Sequence, residues 1–247
     1  MQLMESNSAS HTDWSMIVSA GQQDEEVAAK ALEQMVKRYW PAVYAYIRKT
    51  GRSVHEASDL TQGFICDVMI VRRLAASADH ERGRFRNLLL TSLKNYLVQE
   101  HRRKERLRRS GKTDEPLSMS PEVIERIADS QHSTPEDAFS YQWSAIIVKR
   151  VLEIVRNECS AAGLDAHWTI FERRIVRPMM FDESPTDYAA LIKQLGLKEE
   201  SQAANMMVTV KRRFVAALYR EVGSTVSKET DIDDELRQLL LDLEQPL

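Results

Sequence analysis

Apolar residues three and four positions apart constrain this chain more than any other feature of its sequence. Ala28, Ala31, Leu32, Met35, Val36, Tyr39, Val43, Tyr46 and Ile47 keep that spacing, which lines them along one side of a helix of about 3.6 residues per turn. The period returns in Phe85, Leu88, Leu89, Leu93, Tyr96 and Leu97, and again in Trp143, Ile146, Ile147, Val151, Ile154 and Val155. With 8 Gly and 7 Pro in 247 residues, the chain has too few turn formers for a β-sandwich. Its 43% hydrophobic and 29% charged residues suit folded cores rather than disorder. An all-α protein is predicted, built from two helical modules joined by a flexible linker.

Punctuation residues set the boundaries. Residues 1–23 are Ser-rich and expected to be a flexible lead. Pro41 should kink or split the first helical run, 24–50, and Gly51 should close it. Ser53-Val54-His55-Glu56 has the spacing of a capping box, and a second helix is predicted from there to about residue 73. Residues 74–83 read as a loop. The polar, Pro-containing stretch 113–134 has linker composition and places the module boundary. Thr134-Pro135-Glu136-Asp137 restarts a helix, with a capping Thr, Pro at the first helical position and acids in the first turn. Gly163 should end it, ahead of a run around Trp168, Phe171 and Ile175.

Further on, Ser184-Pro185-Thr186-Asp187 opens a short helix, Gly196-Leu197 makes a turn, and a longer helix follows over 202–222. Helix, glycine turn and helix form the helix-turn-helix pattern, with Ala190, Leu191, Leu195 and Leu197 expected to pack on Val208, Val210, Phe214 and Leu218. In such a unit the start of the second helix faces base edges in the major groove. Gln202, Asn205 and Thr209 are then candidates for reading bases, and Lys211, Arg212 and Arg213 for gripping phosphates. An ordinary helical hairpin carries the same pattern.

The net charge of −3 hides an uneven distribution. Residues 80–112 hold eleven Lys or Arg against three Glu, about +8, whereas 223–247 hold two basic residues against seven acidic ones, about −5. The basic run that ends in His101-Arg102-Arg103-Lys104-Glu105-Arg106 is either a solvated helix terminus or a phosphate-binding surface. Repulsion between neighbouring cations favours the second, because a polyanion removes it. The tail 223–247 carries Leu236, Leu239, Leu240 and Leu243 among its acids. It is expected to be an amphipathic helix that folds over a basic surface or recruits a regulator.

Chemistry-bearing motifs are sparse. His80-Glu81 lacks the second His of a zinc-binding helix, and there is no Gly-rich phosphate loop. The acids Asp231, Asp233, Asp234 and Glu235 are a poor metal site, Cys66 and Cys159 read as buried thiols, and no enzyme, metal or cofactor is expected. The lack of a long apolar run or a signal-like start points to a cytoplasmic protein with no membrane insertion.

The order of motifs resembles the extracytoplasmic-function sigma factors of the sigma-70 family. The likeness lies in Arg38-Tyr39-Trp40-Pro41 and Tyr44-Ala45-Tyr46, in Glu56-Ala57-Ser58-Asp59-Leu60-Thr61-Gln62-Gly63-Phe64, and in Arg82-Gly83-Arg84-Phe85-Arg86-Asn87-Leu88-Leu89-Leu90 with Lys94-Asn95-Tyr96-Leu97. Residues 24–112 resemble the family's region two, and 135–222 resemble region four more loosely, leaving 223–247 as an acidic tail. The resemblance implies a transcription initiation factor that binds core RNA polymerase (β′ clamp and β flap) and promoter DNA, with an anti-sigma protein as a further regulatory partner. It implies core binding by Asp59, Leu60, Thr61, Gln62 and Phe64. Capture of the minus-ten element as single strand falls to Arg84, Phe85, Asn87, Lys94, Asn95, Arg102, Arg103 and Arg106. Two positions depart from the family: Gln99 stands where an Asp is common, and the second helix of 186–220 opens with Glu199 and Glu200, which repel phosphates. The competing reading is a helix-turn-helix regulator that works without polymerase, or an all-α protein-interaction adaptor.

Overall fold

The structure, a computed structural model, describes residues 25–67, 84–110, 134–226 and 228–244. The expected flexible lead, the 74–83 loop, nearly all of the 113–134 linker and the second helix beyond residue 67 lie outside them. Every regular element among the described residues is helical, in keeping with the all-α expectation. The chain divides into two compact units, Met1–Ile146 with Val222–Leu247, and Ile147–Glu221.

The first unit is built on α1, Glu25–Lys49. Pro41 lies inside this helix and does not end it. A proline removes one intrahelical hydrogen bond, but the residues that follow, 42–47, are all buried, and burial on every side holds the helix through the defect. Gly51 takes the left-handed conformation, φ +82°, that closes the turn after it.

Helix α2, Val54–Phe64, starts on the predicted capping box: the Glu56 amide donates to Ser53 Oγ, and the Ser53 amide donates to the Glu56 carboxylate. Those bonds from Ser53 hold the Glu56 carboxyl below its ordinary range. Cys66, expected in the core, is exposed. Positions 57, 60, 61, 64 and 65 face inward, and Cys66 shares the opposite side with Asp59 and Gln62.

Helix α3, Phe85–Ser110, buries Phe85, Leu89, Leu93 and Tyr96. Helix α4, Pro135–Ala161, opens on a second reciprocal cap, in which the Asp137 amide donates to Thr134 Oγ1 and the Thr134 amide to Asp137 Oδ2, each at 3.1 Å. Its first turns belong to the first unit, because Trp143 stacks on Tyr39 with ring centroids 5.2 Å apart, and Phe85 and Phe139 close the aromatic cluster around them. The first compact unit runs on past the expected 113–134 linker to Ile146.

The acidic tail, expected as an amphipathic helix, belongs to this unit. Its helix, α9, Ile232–Glu244, is the last among the described residues.

In the second unit, Gly163 (φ +66°) ends α4 as predicted. Helix α5, Asp165–Phe171, passes through one π turn, Glu172–Val176, into α6, Arg177–Phe181. Pro178 has no amide to offer the preceding turn, and the π turn just before it, closed by the Arg177 amide on the Glu172 carbonyl, accommodates that loss. Helix α7, Tyr188–Leu195, and helix α8, Glu200–Gly223, are the predicted helix-turn-helix pair. Gly196 (φ +64°) caps α7, and the Leu197 amide donates to the Ile192 carbonyl at 3.0 Å.

On these two helices the buried set is Leu191, Ala203, Met206, Met207, Val210 and Ala217. Ala190 and Val208, expected inside, are exposed. The inward stripe of α8 runs 203, 206, 210 and 217, and Val208 falls on the far side of that phase.

Candidate nucleic-acid interface

Three surfaces carry the candidate residues. On α2, Leu60, Thr61 and Phe64 point inward: Thr61 Oγ1 donates to the Ala57 carbonyl at 2.7 Å, and the Phe64 ring meets Tyr96 edge-on at 5.6 Å. These three hold the helix in place. What α2 offers outward is Asp59 and Gln62, one turn apart, with His55 and Cys66 continuing the same side.

On α3 the outward side is a line of exposed residues: Asn87, Thr91, Lys94, Asn95, Val98, Arg102 and Arg106. At 1.5 Å per residue it extends about 28 Å. Its inner half is polar and its outer half cationic, with every side chain from His101 to Arg106 exposed. Arg103 lies to one side, 3.7 Å from Glu100, and Arg106 Nε donates to the Arg102 carbonyl at 3.3 Å.

Three of the residues expected to hold single-stranded DNA stand differently. Phe85 has no exposed surface and packs against both Tyr39 and Trp143, so its ring is not available for a base to stack on; it is a core residue. Arg84 and Lys94 already meet acids. Lys94 is 2.7 Å from Glu136, whose carboxylate Tyr46 also approaches at 3.4 Å. The Lys94 hydrogen bond holds the Glu136 carboxyl below its ordinary range, and the same bond raises the lysine, while burial raises the Tyr46 phenol.

Arg84 is 3.1 Å from Glu235 of α9, and Arg86 Nη1 is 3.8 Å from Glu235 and 2.7 Å from Asp242. Asp242 also accepts from Ser144 Oγ at 3.0 Å and from Gln238 Nε2 at 2.9 Å. Both carboxylates are almost wholly buried, 1% and 3% exposed. Motif reading did not find these partners; the signal available for them was the opposite charge of 80–112 and 223–247.

The third surface is in the second unit. An open groove of about 550 Å³ runs along the start of α8, lined by His167, Lys198, Gln202, Asn205 and Thr209 among others. Gln202 is partly spent on structure, its Oε1 accepting from the Lys198 amide at 3.1 Å. Asn205 is exposed, and Thr209 Oγ1 donates to the Asn205 carbonyl at 3.0 Å. Lys211 and Arg212 are exposed, whereas Arg213 turns toward Glu158, 3.9 Å away. Val208, Val215 and Tyr219 stand on the same outward side as Lys211 and Arg212, at 43%, 53% and 46% exposure, an apolar element that the charge pattern did not announce.

No group of metal-ligating side chains occurs among the described residues, and no described helix is long and apolar enough to cross a membrane. No family model, curated protein or solved structure matches the chain.

Proposed function

We propose that the chain is a sigma factor of the extracytoplasmic-function type, a cytoplasmic protein that joins core RNA polymerase and selects promoters. In this reading the first unit acts as region two and the second as region four. Asp59 and Gln62 on α2 dock on the β′ clamp, held in register by the buried Leu60, Thr61 and Phe64. The outward side of α3 takes the minus-ten strand, with Asn87 and Asn95 offering hydrogen bonds to unpaired bases and Arg102, Arg103 and Arg106 neutralising phosphates. The helix-turn-helix of the second unit takes the minus-thirty-five duplex and the β flap, and an anti-sigma protein is its regulatory partner.

The observation that carries the reading is the division of labour along α3. One helix buries Phe85, Leu89, Leu93 and Tyr96 in a core and then carries a fully exposed cationic run from 101 to 106. Like charges so arranged gain from a polyanionic partner. The test is co-purification with core polymerase. The wild-type chain is expected to hold core polymerase, and Asp59→Ala with Gln62→Ala to lose it while keeping its helical circular dichroism. If core binding survives that double change, α2 is not the docking helix. A chain that binds duplex DNA and never polymerase is the independent regulator instead.

A further inference from the structure

We propose that α9 is a built-in competitor for nucleic acid, a helix whose Glu235 and Asp242 occupy the arginines at the start of α3 in place of phosphates. The inference rests on the reading of α3 as a strand-capturing helix. Arg84 and Arg86 stand directly before Asn87, where the outward line of α3 begins, so they would extend that line by one more phosphate-binding turn. In the present arrangement that extension is closed. Glu235 and Asp242 lie seven residues, about two turns, apart on one side of α9 and meet both arginines.

The way α9 is held suits exchange. Of its five leucines, at 236, 239, 240, 241 and 243, only Leu239 is fully buried; Leu236 and Leu243 are half-buried, and Leu240 and Leu241 are each 56% exposed. With two leucines open to solvent, the ion pairs carry a substantial part of the hold on this helix, and that part is what a phosphate chain would replace. At its base the Phe85 amide donates to the Thr225 carbonyl at 3.0 Å, which anchors the segment beside the arginines when the helix itself lifts. On release, each arginine trades a carboxylate for a phosphate, and no covalent change is needed.

The test uses the full chain and a fluorescein-labelled single-stranded DNA of about twenty nucleotides, read by anisotropy across a salt series. Glu235→Gln with Asp242→Asn keeps the shape of both side chains and removes both charges. Asp233→Asn with Asp234→Asn makes the same change in net charge on exposed acids of the same helix. The first variant is expected to bind at least about tenfold tighter than wild type, with a salt slope steeper by about 1.4 for two added phosphate contacts. The second is expected to bind like wild type. Equal affinity of the two variants overturns the proposal.

A measurement on the wild-type chain does not depend on either variant folding. Saturating oligonucleotide is expected to accelerate amide hydrogen exchange across 232–244, and unchanged or slowed exchange there overturns the proposal. Replacing Arg102, Arg103 and Arg106 by Ala tests the underlying reading separately. If that change leaves DNA binding intact, the assignment of α3 fails; if it weakens binding while the α9 variant stays at wild-type affinity, the reading stands and the competitor does not.

Discussion

The Tyr96 hydroxyl occupies the space in which a Cβ on residue 63 would stand, so α2 and α3 approach closely only because that residue is Gly63. Tyr96 is 7% exposed and braced edge-on by Phe64, so it has little room to yield.

Gly63→Ala is therefore expected to destabilise the first unit by about 1–3 kcal/mol through overpacking, despite the better helix propensity of Ala. Adding Tyr96→Phe removes the colliding oxygen and should restore stability to wild type or above. Urea unfolding of the two variants measures this, and a Gly63→Ala chain as stable as wild type would contradict it.

The pair Arg86 and Asp242 gives an asymmetric expectation. Asp242→Ala takes the nearer carboxylate from a guanidinium whose side chain is only 12% exposed and leaves it Glu235 at 3.8 Å, so the cost should approach that of removing one member of a buried pair, about 3–5 kcal/mol. Arg86→Met with Asp242→Leu removes both charges and is expected to cost far less than the single change. Denaturation midpoints at constant slope decide between the two outcomes.

In the second unit, burial raises the Glu221 carboxyl above its ordinary value, and Arg150, 2.8 Å away, only partly opposes the shift. The folded state thus binds the proton more readily than the unfolded state. As pH falls from neutral toward the ordinary carboxylate value of 4.5, stability from this group rises, and it is lost again as pH climbs through the raised folded value. The stability of wild type relative to Glu221→Gln should therefore increase on acidification. A difference that stays flat with pH would show that Glu221 is not so perturbed.

Under the reading of α3 as a phosphate-binding helix, replacing Arg102, Arg103 and Arg106 by Ala should weaken binding to single strands of any sequence alike. Each lost contact flattens the log-log salt dependence by about 0.7, so the triple change should flatten it by about 2. An unaltered slope would place these arginines outside the contact.

Local signals were legible in the sequence. Both reciprocal caps, at Ser53 and Thr134, the short helix Tyr188–Leu195 and the left-handed Gly196 follow from residues a few positions apart. Facing was legible only where the apolar period was unbroken: it held for Leu89 and Leu93 and failed for Cys66 and Val208, which share a helix with the core but not its side. Phe85 was read both as the first residue of an apolar stripe and for its aromatic face, and burial by Tyr39, 46 positions before it, and Trp143, 58 after it, decides for the stripe. The period marks each of the three as inward-facing but not which of them meet. The partners of Arg84 and Arg86 announced themselves only as opposite net charge in two distant segments.

The hydrogen bond from Arg86 to Asp242 joins residues 156 positions apart. At about 5–20 residues per second, a ribosome needs roughly 8 to 30 seconds to make the chain between them. The unit that contains Ile147–Glu221 is contiguous and is synthesised whole within that interval. The segment translated first is thus the last to be completed, and its arginines wait on the nascent chain, their acidic partners still unmade.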